Sequence, residues 1–188
     1  PDQPMPKPAK AGGSSYGAFF RNPGIWELAI LDFVFGVLYF MTSTHVSLYI
    51  EGYGFGTAST TGLITSLTCG LAGVVACLFA PIYRLTGKKT GMFVFLVLGI
   101  GYVVAGIFVS LPAILFGILC STIAAAIFTP FILSRASEVT AAETVPMAVS
   151  VAVACLSVGF FISPGVSNAA AAALSDGSPA AVYLIGGV

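Results

Sequence analysis

Five stretches of this chain are long and apolar enough to cross a lipid bilayer, and this feature constrains the fold more than any other. A helix needs roughly 20 apolar residues to span the hydrocarbon core. The five stretches cover residues 24–50, 59–85, 91–109, 112–134 and 146–174, and a shorter sixth covers 179–188. At 1.5 Å per residue, the sixth would reach about 15 Å, half of the core. The sequence therefore predicts an all-α integral membrane protein with six helices, the last one truncated.

The composition agrees with a bilayer as the main solvent. Hydrophobic residues make up 57% of the chain and charged residues only 7%, whereas soluble domains carry about 25% charged residues. The formal net charge is zero and no basic cluster alternates with aromatic residues, so nucleic acid is excluded as a partner. No cofactor or metal is expected, because the cysteines lie in apolar stretches without paired spacing and suit small buried residues. They are Cys69, Cys77, Cys120 and Cys155.

Residues 1–22 form a polar segment rich in Pro, Gly, Ser and Lys. Such a composition cannot bury enough apolar surface to order itself, so we expect a flexible linker there and the helix bundle over residues 23–188. Asn22 and Pro23 suit a cap and a first-turn residue for the first helix. The chain begins with Pro rather than Met, which indicates a piece of a longer protein.

The basic residues give the orientation, because alternating the helices places all seven on one side of the membrane. They precede the first helix, or lie between the second and third or the fourth and fifth: Lys7, Lys10, Arg21, Arg84, Lys88, Lys89 and Arg135. The loops on the other side contain neither Lys nor Arg. By the positive-inside rule, the sequence predicts a multi-pass protein of the cell membrane with a cytoplasmic N-terminus.

Asp32 is the one acidic residue well inside an apolar stretch, roughly 12 Å from the cytoplasmic end of the first helix. An intramembrane carboxylate is a functional-site hypothesis by default. At 100° per residue, Asp32 shares a helix face with Gly36, Tyr39 and Ser43, which suits the lining of a water-filled cavity. Reversible protonation of a carboxyl group withdrawn from water would serve a proton-coupled carrier. The alternative is that Asp32 pairs with a neighbouring helix or faces the interfacial zone.

His45 lies about 220° around the same helix from Asp32, so a direct proton relay between them is not expected. A hydrogen-bonded packing role is the favoured interpretation for His45, and a place in the proton pathway is the alternative. Glu27 and Glu51, near the two ends of the helix, suit the interfacial zones. The chain carries no recognisable active-site motif, so we do not expect an enzyme.

Small residues repeat every fourth position in three of the helices, which allows close packing where lipid gives helices no hydrophobic reason to associate. These ridges are Gly62, Ser66 and Gly70; Gly117, Ser121 and Ala125; and Cys155, Gly159 and Ser163. Pro130 and Pro164 lie within apparent helices, and each should bend its helix by removing a backbone hydrogen bond.

The loop between the second and third helices carries a resemblance to the major facilitator superfamily. Gly87, Lys88 and Lys89 match the end of a motif similar to Gly-x-x-x-Asp-Arg-x-Gly-Arg/Lys-Arg/Lys. Three earlier positions depart from it, because Ala80, Arg84 and Leu85 replace its first glycine, its aspartate and its arginine. Residues 158–164 also resemble the proline-containing eleventh helix of bacterial efflux members. Taken in order, residues 20–188 look like the second six-helix half of such a transporter.

The resemblance implies alternating access, in which two six-helix halves rock around a central site. The expected partners are the lipid bilayer, a missing N-terminal half, a small-molecule substrate and protons, and the expected function is proton-coupled efflux by an antiporter. Asp32, Tyr39, Ser43 and His45 would be the candidates for the substrate and proton pathway, and Arg84 a partner for Glu138 or Glu143. The alternatives are a solute uptake carrier of the same fold and a non-transporting membrane subunit or scaffold.

Overall fold

The structure, a computed structural model, describes residues 16–174 and 179–187, and every regular element in that part of the chain is helical. The helices are α1 (Tyr16–Phe20), α2 (Pro23–Gly52), α3 (Ala58–Cys77), α4 (Phe79–Thr86), α5 (Thr90–Ile107), α6 (Leu111–Val139), α7 (Val145–Leu174) and α8 (Pro179–Gly187). Single 3₁₀ turns cover Gly87–Lys89 and Ala142–Thr144. Five segments are long and apolar enough to cross a membrane: Pro23–Gly52, Ala58–Cys77, Phe79–Ile107, Leu111–Val139 and Ala142–Ala169. The predicted membrane bundle is confirmed.

Asn22 begins α2 and also fastens it to the end of α6. Its Oδ1 accepts a hydrogen bond from the Gly24 N–H at 2.9 Å, as the predicted cap requires. Its Nδ2 donates to the Val139 carbonyl at 2.7 Å, which satisfies one of the carbonyls left free at a helix C-terminus. One side chain therefore completes the ends of two helices that are far apart in sequence.

The prediction of a flexible linker over residues 1–22 is wrong for Tyr16–Phe20, which form the helix α1. The Trp26 indole N–H, one turn into α2, donates to the Phe20 carbonyl at 2.9 Å and holds the end of this short helix. Residues 1–15 lie outside the described part of the chain.

The second apolar stretch, expected as one helix over residues 59–85, is divided at Leu78 into α3 and α4. Proline has no backbone N–H, so Pro81 cannot bind the carbonyl of Cys77, and its ring crowds that carbonyl. Leu78 instead adopts φ −87° and ψ 0°, and α4 begins at the next residue with Pro81 in its first turn. The break therefore falls where the proline would interrupt a continuous helix.

The fourth stretch is longer than its apolar sequence indicates, because α6 continues beyond residue 134 to Val139. Arg135 and Glu138 pair across one turn at 2.5 Å within this extension, and Asn22 binds its last carbonyl. Polar residues therefore prolong the helix past the hydrocarbon region. The third stretch ends slightly early, at Ile107 rather than 109, since Phe108 takes an extended conformation with ψ 96°.

A close helix crossing joins α2 to α7, and two glycines allow it. A Cβ on Gly159 would lie 2.5 Å from the Phe33 carbonyl oxygen, and one on Gly36 would lie 2.6 Å from the Leu156 carbonyl oxygen. The Ser163 hydroxyl donates to the Val37 carbonyl at 2.6 Å beside this contact. The ridge of small residues on α7 therefore forms the interface with α2, where the two backbones almost touch.

The other two ridges have different surroundings. Gly117 of α6 faces α5, where a Cβ would lie 3.0 Å from the Ala105 Cβ. Gly62 and Gly70 of α3 have no atom within 4 Å of a built Cβ, and Ser66 between them is exposed. The ridge of α3 is thus unpacked within the described residues, whereas those of α6 and α7 are helix contacts.

Helix α8 closes the side of the bundle formed by α2 and α5. Tyr183 is fully buried, with its ring 5.5 Å from that of Tyr49 and 5.6 Å from that of Tyr102. The Tyr49 hydroxyl in turn donates to the Ala105 carbonyl at 2.8 Å. Three tyrosines therefore tie α2, α5 and α8 together, while most of α3 and α7 stays exposed.

We expect Gly159→Ala to lower the thermal stability of the purified protein, because its methyl group would meet a backbone oxygen that cannot move without shifting α2. Overpacking of this kind costs about 1–3 kcal/mol. The control is Ser137→Ala, which removes an exposed hydroxyl that donates to its own helix on α6. Equal melting temperatures for the two variants would contradict the close crossing of α2 and α7.

Candidate functional site

A cavity of about 760 Å³ lies between α2, α3, α6 and α7. Its wall is mainly apolar, with aromatic rings on α2, α6 and α7 and small residues on α3. The lining residues are Asp32, Phe35, Tyr39, Ala72, Gly73, Ala76, Ala125, Ala126, Phe128, Thr129, Pro130, Ile132, Leu133, Val149, Val153, Leu156 and Phe160. A volume of this size is typical of small-molecule sites.

Among the described residues of this wall, Asp32 is the only ionisable side chain apart from the Tyr39 phenol. Asp32 is only 3% exposed, and its Oδ2 atom has no hydrogen-bond partner within the described residues. Buried carboxyl oxygens are normally paired, because leaving one unpaired costs free energy. The alternative in which Asp32 pairs with a neighbouring helix finds no support here, and its carboxyl group is free to bind a ligand or a proton.

The residues expected to share a face with Asp32 divide between two environments. Tyr39 lines the cavity, but Gly36 faces the backbone of α7 instead. Ser43 lies beyond the cavity, in a smaller crevice that Tyr39 also lines. Because α2 packs closely on α7, only part of its polar face remains open.

Aromatic rings that the sequence did not single out form one wall of the cavity. The Phe35 ring stacks on that of Phe128, with their centroids 3.9 Å apart, and is 5.6 Å from the ring of Tyr39. On α7, the Phe160 ring is 6.3 Å from that of Tyr39. Phe35 and Phe128 are far apart in sequence, and the chain has 15 phenylalanines, so nothing in the sequence marks these rings.

His45 is buried outside the cavity and has a hydrogen-bond partner on each ring nitrogen. Its Nε2 lies 3.0 Å from Asn168 Oδ1 on α7, and its Nδ1 lies 2.9 Å from Thr44 Oγ1. The Met41 carbonyl oxygen is also 3.2 Å from Nδ1. The structure therefore places His45 between α2 and α7 and does not bring it together with Asp32.

Neither internal proline ends its helix. Pro130 and Pro164 lie within the continuous helices α6 and α7, and Pro130 itself lines the cavity. Each proline removes the N–H that would bind the carbonyl four residues earlier, at Ala126 and Phe160 respectively. Both of these residues line the cavity, so the two helix segments that lose a backbone hydrogen bond border its wall.

A charged cluster joins the ends of α2, α4 and α6. Arg135 lies 3.3 Å from Glu27 and 2.5 Å from Glu138, and the Tyr83 hydroxyl donates to Glu138 at 2.6 Å. The expected pairing of Arg84 with Glu138 or Glu143 is wrong. Arg135 and Tyr83 already bind Glu138, and within the described residues Arg84 makes no ion pair.

The motif loop lies at this same end of the bundle. Gly87 has φ +52°, a backbone conformation that favours glycine, and it opens the 3₁₀ turn Gly87–Lys89. The Thr90 hydroxyl donates to the Gly87 carbonyl at 2.6 Å and fixes the turn at the start of α5. Lys88 and Lys89 are exposed. The glycine thus produces the sharp reversal, and the two lysines face outward.

Membrane-spanning helices around an apolar cavity with one buried carboxyl group define a multi-pass membrane protein of the carrier class. A family model described as Major Facilitator Superfamily matches residues 1–164, and the chain belongs to this superfamily. It is therefore a membrane transporter with a small-molecule substrate, rather than an enzyme. Neither a curated protein nor a solved structure matches the chain.

We expect a cysteine introduced by Ala126→Cys to react with a water-soluble methanethiosulfonate reagent, because Ala126 lines the cavity. The native Cys120, on the same helix but 7% exposed, provides the unreactive comparison. The measurement is mass spectrometry of the full-length protein in lipid nanodiscs, after replacement of Cys69, Cys77 and Cys155 by alanine. Faster modification of Cys120 than of the introduced cysteine would contradict this cavity.

Proposed function

We propose that the chain forms half of a secondary active transporter that exports small organic molecules in exchange for protons by alternating access. The observation that carries the proposal is the buried carboxyl group of Asp32, whose Oδ2 has no partner among the described residues and which lines the central cavity. A membrane interior tolerates an ionisable side chain chiefly where function requires it.

The coupling follows from the chemistry of one carboxyl group. It can carry a proton, or in its ionised form it can bind a positively charged substrate, but it cannot do both at once. No basic residue is among the described residues that line the cavity, so within that part of the chain neither state of the carboxyl group meets a competing cation. Exchange of a proton for an organic cation at Asp32 would link the two fluxes in opposite directions.

The remainder of the wall favours an amphipathic substrate. Phe35, Phe128 and Phe160 give the wall an aromatic lining against which an apolar body can pack. The cavity is large enough for a drug-sized molecule. A positive group near Asp32 with an apolar body against these rings therefore fits the site.

The exposed surfaces of α3 and α7 support a second half as partner. Leu67 is 68% exposed and Phe161 is 87% exposed, on the two helices that flank the cavity. The open ridge of Gly62, Ser66 and Gly70 has the small-residue spacing that lets another helix approach closely. We therefore propose that an N-terminal six-helix half packs here and completes the cavity.

The charged end of the bundle is proposed to be cytoplasmic, because the described basic residues lie there and the opposite loops have none. We expect Lys88→Cys to be labelled only by a reagent applied from the cytoplasmic side of oriented membrane vesicles, and Thr57→Cys only from the other side. The opposite pattern would reverse the proposed orientation in the cell membrane.

The decisive experiment uses the full-length protein in liposomes, with ethidium as the probe because it is a permanent organic cation. We expect a pH gradient to drive ethidium flux in the unmodified protein. Asp32→Asn should reduce this flux to the level of protein-free liposomes, since the amide neither titrates nor carries charge.

The matched control is Glu51→Gln, which neutralises an exposed carboxylate at the far end of α2 and should leave the flux unchanged. Undiminished pH-driven flux in Asp32→Asn would remove Asp32 from the coupling mechanism. Flux towards the side of lower proton concentration would instead identify symport with protons, as in an uptake carrier.

A further inference from the structure

A second, smaller space lies next to the cavity, between α2, α3 and α6, and has a volume of about 50 Å³. On each helix its lining residues lie one or two turns farther from the charged end than those of the cavity. Tyr39 lines both spaces. The crevice therefore adjoins the cavity, and Tyr39 belongs to the walls of both.

The crevice differs chemically from the cavity, because seven of its ten lining residues carry a hydroxyl group. Three of these are committed donors within their own helices. The Thr65 hydroxyl donates to the Thr61 carbonyl, the Thr68 hydroxyl to the Thr65 carbonyl, both at 2.9 Å, and the Ser121 hydroxyl to the Ile118 carbonyl at 2.8 Å. Their oxygens keep free lone pairs, so they remain hydrogen-bond acceptors.

The other hydroxyl groups of the crevice differ in whether they can still donate a hydrogen bond. The Tyr102 hydroxyl donates to the Leu38 carbonyl at 2.6 Å, so in its hydrogen bond with Thr42 it is the acceptor and Thr42 the donor. Tyr39, Ser43 and Thr122 make no side-chain hydrogen bond within the described residues and can donate or accept. The lining as a whole offers more acceptors than donors.

This lining selects the chemistry of the group that it can hold. The described residues that line the crevice include no carboxylate and no basic side chain, so an ionic group would find no countercharge among them. Its volume corresponds to about one or two water-sized groups. A neutral group that donates a hydrogen bond, such as a terminal hydroxyl, fits both the size and the excess of acceptors.

We propose that the crevice is a second subsite of the transporter and holds a neutral end of the substrate that carries a hydroxyl group. This inference rests on the proposed function. The positive end lies at Asp32, and the apolar body crosses the aromatic wall between them. From Asp32 to Thr42 the helix rises about 15 Å. An extended chain covers about 1.2 Å per bond, so the two polar ends of the substrate are about ten to twelve bonds apart.

The test compares two probes that differ in one hydroxyl group, decylamine and its omega-hydroxy derivative, both radiolabelled. Binding to the full-length protein in nanodiscs is measured by scintillation proximity. Thr65→Val should weaken binding of the hydroxylated probe about fivefold, the loss of roughly one hydrogen bond, and leave decylamine within about twofold. Ser43→Ala should act in the same way.

The control is Ser137→Ala, which removes an exposed hydroxyl from α6 that also donates to its own helix but does not line the crevice. This variant should leave the binding of both probes unchanged. If Thr65→Val and Ser43→Ala weaken the binding of both probes equally, or of neither probe, the subsite is overturned and the proposed function still stands. Failure of both amines to bind the unmodified protein would overturn the proposed function and the subsite together.

Discussion

The close crossing of α2 and α7 is the contact on which the arrangement of the site depends. Lipid tails are as apolar as the helices, so the two helices gain little from hydrophobic burial and need backbone proximity instead. Gly36 and Gly159 provide it, and Ser163 adds a hydrogen bond beside them. This contact turns one side of α2 towards α7. Asp32, one turn before Gly36, is thereby directed into the space shared with α3 and α6.

The bilayer also explains how the polar side chains are arranged. Threonines and serines in the described helices mostly donate to carbonyls of their own helix, which lets them lie in an apolar medium at little cost. His45 is satisfied between two helices. Asp32 departs from this pattern, because one of its buried oxygens is unpaired. Among the buried side-chain oxygens and nitrogens of the described residues, Asp32 Oδ2 and the Tyr183 hydroxyl lack a hydrogen-bond partner, and of these two only Asp32 lines the cavity.

Much of the fold could be predicted from local sequence, but the site could be predicted only in part. Apolar length identifies the spans, and Asn22 is recognisable as a cap because capping depends on neighbouring residues. The ridges of α3 and α7 look equally good in sequence, yet only that of α7 meets another helix here. The contacts of Glu27 with Arg135 and of His45 with Asn168 join residues more than 100 positions apart, and no local pattern reveals them.

The two internal prolines have a consequence for what can enter the cavity. Ala126 and Phe160 each lack the N–H that would normally bind their carbonyls, so the wall presents acceptors as well as apolar surface. Water can satisfy these acceptors, but a hydrocarbon chain cannot, and an acyl tail that displaced the water would leave them unpaired. Next to these two residues an apolar chain is therefore a poorer occupant than water or a group that donates a hydrogen bond.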